Sequence, residues 1–297
     1  MNQVSVERSA ERRGPDRRAA ARRSGSVAPW PQRRGGIGLF IAQGIVLHDG
    51  QRAPVRLRDR AAVLMALLAT EGPRHRQALA ALLWPDSHSP LARNNLRTLV
   101  HRLVRRHGVP LFSEGEVLAL NQSVVQVHHE TADELAERVV LLGVDRCALL
   151  PDLSLDALEQ VDSWLSSART RHREGQLRLL TTAMIQAERL GNHSRRVALA
   201  CAKVLLDQTS EAAYRELMQA HLANGDRGAA LATYERCRAT LIEALGVMPE
   251  RHTQELHLQI LQSSRGDVTE GAWPDQEIVT PTRSSPAVCW KRRRSRD

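Results

Sequence analysis

Three observations on the sequence predict a mainly α chain in two parts. Residues 84–108 combine a turn with one strongly basic amphipathic helix; short β-type runs flank it at 37–57 and 109–127; and from 130 to 265 the pattern is almost wholly helical, with turns recurring 34 residues apart. A short apolar helix, a tight turn, a basic helix and a hairpin follow one another in the order of a winged helix-turn-helix domain. A 34-residue period is that of tetratricopeptide-like helical hairpins. The predicted fold is therefore a winged helix-turn-helix domain followed by an all-α tetratricopeptide-like repeat domain.

Composition sets the outer bounds. The 297 residues have room for about two domains, and with 42% hydrophobic but only 3% aromatic residues the cores must be built from Leu, Ala and Val. No apolar run approaches the ~20 residues of a membrane helix, so no membrane partner is expected. Arg22 and Arg23 have no hydrophobic segment behind them, which argues against an export signal and for a cytoplasmic chain. Cys147, Cys201, Cys237 and Cys289 match no zinc or redox spacing.

The net charge of +9 is unevenly spread. Residues 1–36 hold nine Arg against three acidic residues, and 37–129 hold eleven Arg against six. Residues 130–265, with sixteen basic and nineteen acidic side chains, are mildly acidic. A polyanion-binding module joined to a protein-binding one has this asymmetry.

Residues 1–36 lack any aliphatic pattern and read as a disordered basic tail. Phe40 to Ala42, Ile45 to Leu47 and Val55 to Leu57 read as short strands, with a turn at His48, Asp49 and Gly50. A helix over 57–70 puts Ala61, Leu64, Met65 and Leu68 on one face, and Gly72 and Pro73 stop it. Residues 77–83 form the next helix, and Trp84 is expected to close the core beneath the basic helix.

In the basic helix, Ser89 is the expected N-cap, Pro90 the first helical residue and Gly108 the left-handed stop. Arg105, Arg106 and His107 suit the negative end of the helix dipole. Ala92, Leu96, Leu99, Val100 and Leu103 define the buried face, and Asn94, Arg97, Thr98, His101 and Arg105 the exposed one. Such side chains hydrogen-bond base edges and phosphates, and none is a carboxylate. Residues 109–112, 117–120 and 124–127 are expected to build the wing around 113–116. Its tip carries Glu114 and Glu116, where a minor-groove wing would prefer Arg or Lys.

Beyond the wing, helices are expected over 130–142 and 155–190, with Gly175 a possible bend or break. Gly191-Asn192 precedes a helix over 194–206 and Gly225-Asp226 another over 227–245; Ala198 and Ala232 keep the same 34-residue offset. Small residues, Ala198, Ala202, Ala229 and Ala232, are expected to let the paired helices approach closely. Gly246 and Pro249 end the last repeat helix, and 251–262 caps the array. Stacked helix pairs leave a concave surface suited to protein partners. From residue 263 pattern is lost, and 266–297 reads as a second disordered tail.

Two stretches, LAALLWPDSHSPLARNNLRTLVHRLVR (79–105) and ALATYERCRATLIEALGVMPERHTQELHLQIL (230–261), carry a family resemblance. The chain resembles the Streptomyces antibiotic regulatory protein family, whose members join a response-regulator-type winged helix to a bacterial transcriptional activation domain. The resemblance implies domains at 37–129 and 130–265. It places Arg93, Asn94, Arg97, Thr98, His101, Arg102 and Arg105 on the DNA-binding helix over 90–107, and short direct repeats near promoters as the target. It further implies pairing of protomers on DNA and contact with RNA polymerase through the helical domain. The chain departs from the family pattern at His75, where a Ser or Thr often caps the helix before the turn, and at Glu114 and Glu116 in the wing. Some relatives continue into an ATPase, but no Gly-x-x-x-x-Gly-Lys-Ser/Thr loop occurs here, so no cofactor is expected.

The leading expectation is thus a sequence-specific DNA-binding transcriptional activator, with Arg56, Arg58, Arg60 and Arg102 as further candidates for phosphate contact. The alternative is a protein-binding adaptor with little specific DNA binding. An enzyme is the weakest reading. His128, His129 and Glu130 lack the second His of a zinc helix, and His252 and His257 stand on different helix faces.

Overall fold

The computed structural model describes residues 36–42, 44–50, 52–151, 153 and 159–262; the expectations for the two tails lie outside them. Ile37 and Leu39 alternate inward along strand β1 (Ile37–Phe40). β1 pairs antiparallel with β2 (Val46–His48), which pairs antiparallel with β3 (Val55–Arg56). Helices α1 (Asp59–Thr70), α2 (Arg76–Leu83) and α3 (Ser89–His107) follow, with the two-residue strand β4 (Arg74–His75) between the first two. β5 (Val117–Leu118) pairs antiparallel with β4, and a bridge between Phe112 and Leu120 closes the hairpin behind it.

The run expected as a third wing strand goes elsewhere. β6 (Val125–His128) lies parallel to β1, with Ile37 opposite Val125 and Phe40 opposite His128, giving the sheet order β3-β2-β1-β6. Parallel pairing needs a long crossover, and the three helices and the wing together supply it.

Several helix starts also differ from expectation by a residue or two, most tellingly in α1 and α3. α1 begins at Asp59 rather than Leu57, and every residue from Ala62 to Leu68 is buried, not one face alone. The sheet, α2, α3 and residues from the helical half all pack around it. In α3 the first backbone acceptor is the His88 carbonyl, which takes Leu91 N–H at 3.0 Å and Ala92 N–H at 3.1 Å. Ser89 is therefore already helical, Pro90 is the second residue, and no side chain caps this end. Gly108 makes the expected left-handed stop, with φ 70°.

The helical half comprises α4 (Ala132–Leu142), α5 (Glu159–Arg189), α6 (His193–Leu206), α7 (Glu211–Ala223), α8 (Arg227–Leu245) and α9 (Arg251–Gln262). A Thr131–Glu134 capping box starts α4. α5 runs unbroken through Gly175, and α7 fills a stretch for which no helix was named in sequence. The 34-residue phase is carried by the caps: Asn192 accepts from Arg195 N–H at 3.0 Å, and Asp226 from Ala229 N–H at 2.8 Å. Ala198 and Ala232 keep that phase but face outward. The inward seam of α8 is Ala230, Thr233, Tyr234, Cys237 and Leu241; of the four small residues expected between the helices Ala202 is buried, and on α8 Ala230 takes the inward place rather than Ala229 or Ala232.

Two main cores result. One unites the sheet, α1–α3 and the wing with Leu149, Leu150, Val161, Leu165 and Ala168. The other unites α4 with the repeat helices. The long helix α5 enters both.

Candidate nucleic-acid interface

α3 is held on the first core by Ala92, Leu96, Leu99 and Leu103, which recur at steps of three and four and are all buried. That periodicity turns the remaining face outward. Arg93, Asn94, Arg97, Thr98, His101, Arg102 and Arg105 are all exposed, and the helix contains no Asp or Glu. Arg93 Nε donates weakly to the Ser89 carbonyl one turn back, at 3.3 Å. All seven residues singled out in sequence thus share one cationic surface. Val100, expected on the buried face, is half-buried at its edge.

The turn before α3 is set by Trp84, half-buried against the core, whose carbonyl accepts from Ser87 N–H at 3.2 Å. The Arg60 guanidinium stands 5.6 Å from the Trp84 ring centroid, and its Nε donates to the Leu83 carbonyl at 2.7 Å. Arg60 is therefore engaged in holding the turn through its Nε and the face of its guanidinium. Arg58 is exposed at the start of α1.

The wing is pinned to the base of α2. Arg76 N–H donates to the Glu116 carbonyl at 2.9 Å, and Arg76 Nε to the Gly115 carbonyl at 2.6 Å. The turn needs the positive φ of 103° at Gly115. Ser113 Oγ donates to the Val117 carbonyl at 3.1 Å and accepts from Ala119 N–H at 2.9 Å, stiffening the hairpin. Glu114 and Glu116 both project into solvent, so the tip is acidic. His75 stands at the start of α2 and makes no side-chain cap.

At the far end of α3, His107 is half-buried, and burial, with the charge of Arg106, pushes its pKa below the ordinary imidazole value. A uniformly positive face beside an acidic tip suits a duplex approached by the helix rather than by the wing tip.

The two halves meet at Glu71, the residue that ends α1. Trp164 Nε1 donates to its Oε1 at 2.8 Å, Arg171 Nη2 reaches the same oxygen at 2.5 Å, and Arg74 Nη2 takes Oε2 at 2.6 Å. Within the helical half, Arg169 donates to the carbonyls of Leu149 and Leu150, each at 3.0 Å, holding the segment whose leucines enter the first core. No sequence signal pointed to Glu71, because its partners lie 93 and 100 residues away.

The histidine clusters weighed for catalysis have other occupations. His128 stacks on Phe40 at 4.3 Å, His257 stacks on Tyr234 at 3.8 Å, and Glu130 is paired with Arg138. Among the described residues no group of three His, Cys, Asp or Glu side chains could hold a metal ion, and no helix is long and apolar enough to cross a membrane.

Residues 149–261 match the family model of the bacterial transcriptional activator domain. No curated protein sequence matches the chain. Among solved structures, the chain is similar to Mycobacterium tuberculosis EmbR, described in complex with a low affinity phosphopeptide. The TM-score is 0.52 at 15% identity over 77% of this chain. That similarity covers 66% of the EmbR chain, just under two thirds, and is a likeness of fold.

Proposed function

We propose that this chain is a transcriptional regulator of the Streptomyces antibiotic regulatory protein type and that its α3 binds specific double-stranded DNA, a reading supported by the match of residues 149–261 to the bacterial transcriptional activator domain. Two protomers sit on direct repeats near a promoter in the cytoplasm, and the helical domain engages RNA polymerase to activate transcription. Residues 37–129 carry the DNA interface in this reading, and 130–265 the activation surface.

The observation that carries the proposal is the exposed, carboxylate-free face of α3, with Arg93, Asn94, Arg97, Thr98, His101, Arg102 and Arg105 projecting from a leucine-anchored helix. Arg and Asn hydrogen-bond guanine and adenine edges in pairs, each good contact contributing roughly 1–3 kcal/mol of discrimination. One helix covers too few base pairs to specify a site, hence the pair of protomers. Remaining cations at the face supply a salt-dependent attraction to phosphates.

Selecting bound fragments from the host genome, followed by gel-shift titration, tests this. Arg97→Ala should weaken the selected duplex roughly ten- to a hundredfold while leaving random duplex nearly unchanged. Equal preference with and without Arg97 and Asn94 would refute the role of α3. The acidic tip at Glu114 and Glu116 favours the second reading, a protein-binding adaptor, which would show only weak retention indifferent to sequence.

A further inference from the structure

Between α3 and Arg76 at the start of α2 lies an open depression of about 540 Å³. Its floor is apolar (Leu96, Val100 and Val104), and its rim is formed by Arg76, Arg93, Arg97 and His101. We propose that this depression seats the 5-methyl group of thymine, making Val100 and Val104 specificity-determining residues of the DNA site. The proposal rests on the reading that α3 enters the major groove, and names what the groove must present there.

The chemistry of the floor selects the occupant. Of the groups that base pairs show in the major groove, the thymine methyl is the apolar one. A phosphate set on this floor would shed water without gaining hydrogen bonds. Phosphates and guanine edges instead meet the guanidinium ends at the rim, where no carboxylate stands to repel them. Val100 and Val104 are half-buried, so each anchors on the core with one side and offers the other. Being β-branched, they present their methyls in few rotamers. One helical turn separates them by about 6 Å along the axis, close to two base steps of roughly 3.4 Å. The wall opposite is steady, because Arg76 Nε is tied to the Gly115 carbonyl.

Replacing thymine by uracil in the selected duplex, one position at a time, removes the methyl and nothing else. The expected result is a loss of about fourfold in affinity at one or two positions, the worth of one buried methyl. Val100→Ala or Val104→Ala should lose a similar factor on the thymine duplex and become indifferent to uracil at that position. Selective binding with no uracil-sensitive thymine overturns the proposal and leaves α3 as the DNA-binding helix. So does uracil sensitivity that persists in both variants. The uracil scan uses the unchanged protein, so it decides the matter even where a variant fails to fold. If no duplex is bound selectively, the proposal falls together with the reading beneath it.

Discussion

Replacing Glu130 by Gln should destabilise the helical half by about 3 kcal/mol, the lower end of the range for breaking a buried ion pair from one side. The Arg138 side chain is 4% exposed and that of Glu130 13%. Arg138 Nε and Nη2 each reach a Glu130 oxygen at 2.6 Å, and Nη1 adds the Arg146 carbonyl at 3.3 Å. Burial works against the guanidinium charge, but the hydrogen bonds and charge of Glu130 outweigh it and hold the Arg138 pKa above the ordinary arginine value. Glutamine keeps the shape and one acceptor but leaves a cation with little water and no counter-charge. The surviving Arg146 contact and the partial exposure of Glu130 place the cost at the lower end. Arg138→Met in the same chain removes the stranded charge, so the double variant should recover at least about 2 kcal/mol of the loss. Urea unfolding of the three proteins, compared at equal m-value, measures this. A Glu130→Gln variant within about 0.5 kcal/mol of the parent would show that the pair is hydrated, and the reasoning from burial would fail.

Other expectations follow from the same contacts. Burial, with Arg138 nearby, lowers the pKa of His172 despite a hydrogen bond to the Cys147 backbone, and burial likewise lowers His107, His128 and His221. Their neutral forms favour the fold above the ordinary imidazole value of about 6.5. As pH falls from there through the lowered folded values the unfolded chain binds more protons, so the melting temperature should decline; His172→Gln should flatten the decline. A slope indifferent to His172 would remove it as a contributor. Asn192→Ala and Asp226→Ala should each cost about 1 kcal/mol in thermal unfolding, because each leaves one helix-start N–H without its acceptor. Glu71→Gln should cost about 1 kcal/mol or less, and the deficit should shrink with added salt. Arg74 and Arg171 are half-exposed, so solvent screens both pairs. A salt-independent loss of several kcal/mol would contradict that exposure.

By itself the sequence determined what depends on near neighbours. The basic helix α3 was legible because Leu96, Leu99 and Leu103 repeat at helical spacing and Gly108 can take a positive φ, and both are properties of a few consecutive residues. The repeat was legible because Asn192 and Asp226 cap successive hairpins in equal phase. Even locally, a one-residue ambiguity remained at Ser89, since Ser at either position fits the same pattern and only the His88 carbonyl bonds distinguish them. Tertiary structure alone decided the pairings that span the chain. The 124–127 run looks like a wing strand by composition, yet β6 gains hydrogen bonds along β1, almost 90 residues away in sequence. α1 looks amphipathic, yet Ala62 to Leu68 are all buried, in one core with residues from the start of the helical half. Arg60 and Arg76 look like their exposed neighbours until the Leu83 and Gly115 carbonyls are placed beside them. Local pattern records which side chains prefer burial or a cap; which surface buries them depends on contacts whose partners are set only when distant segments meet.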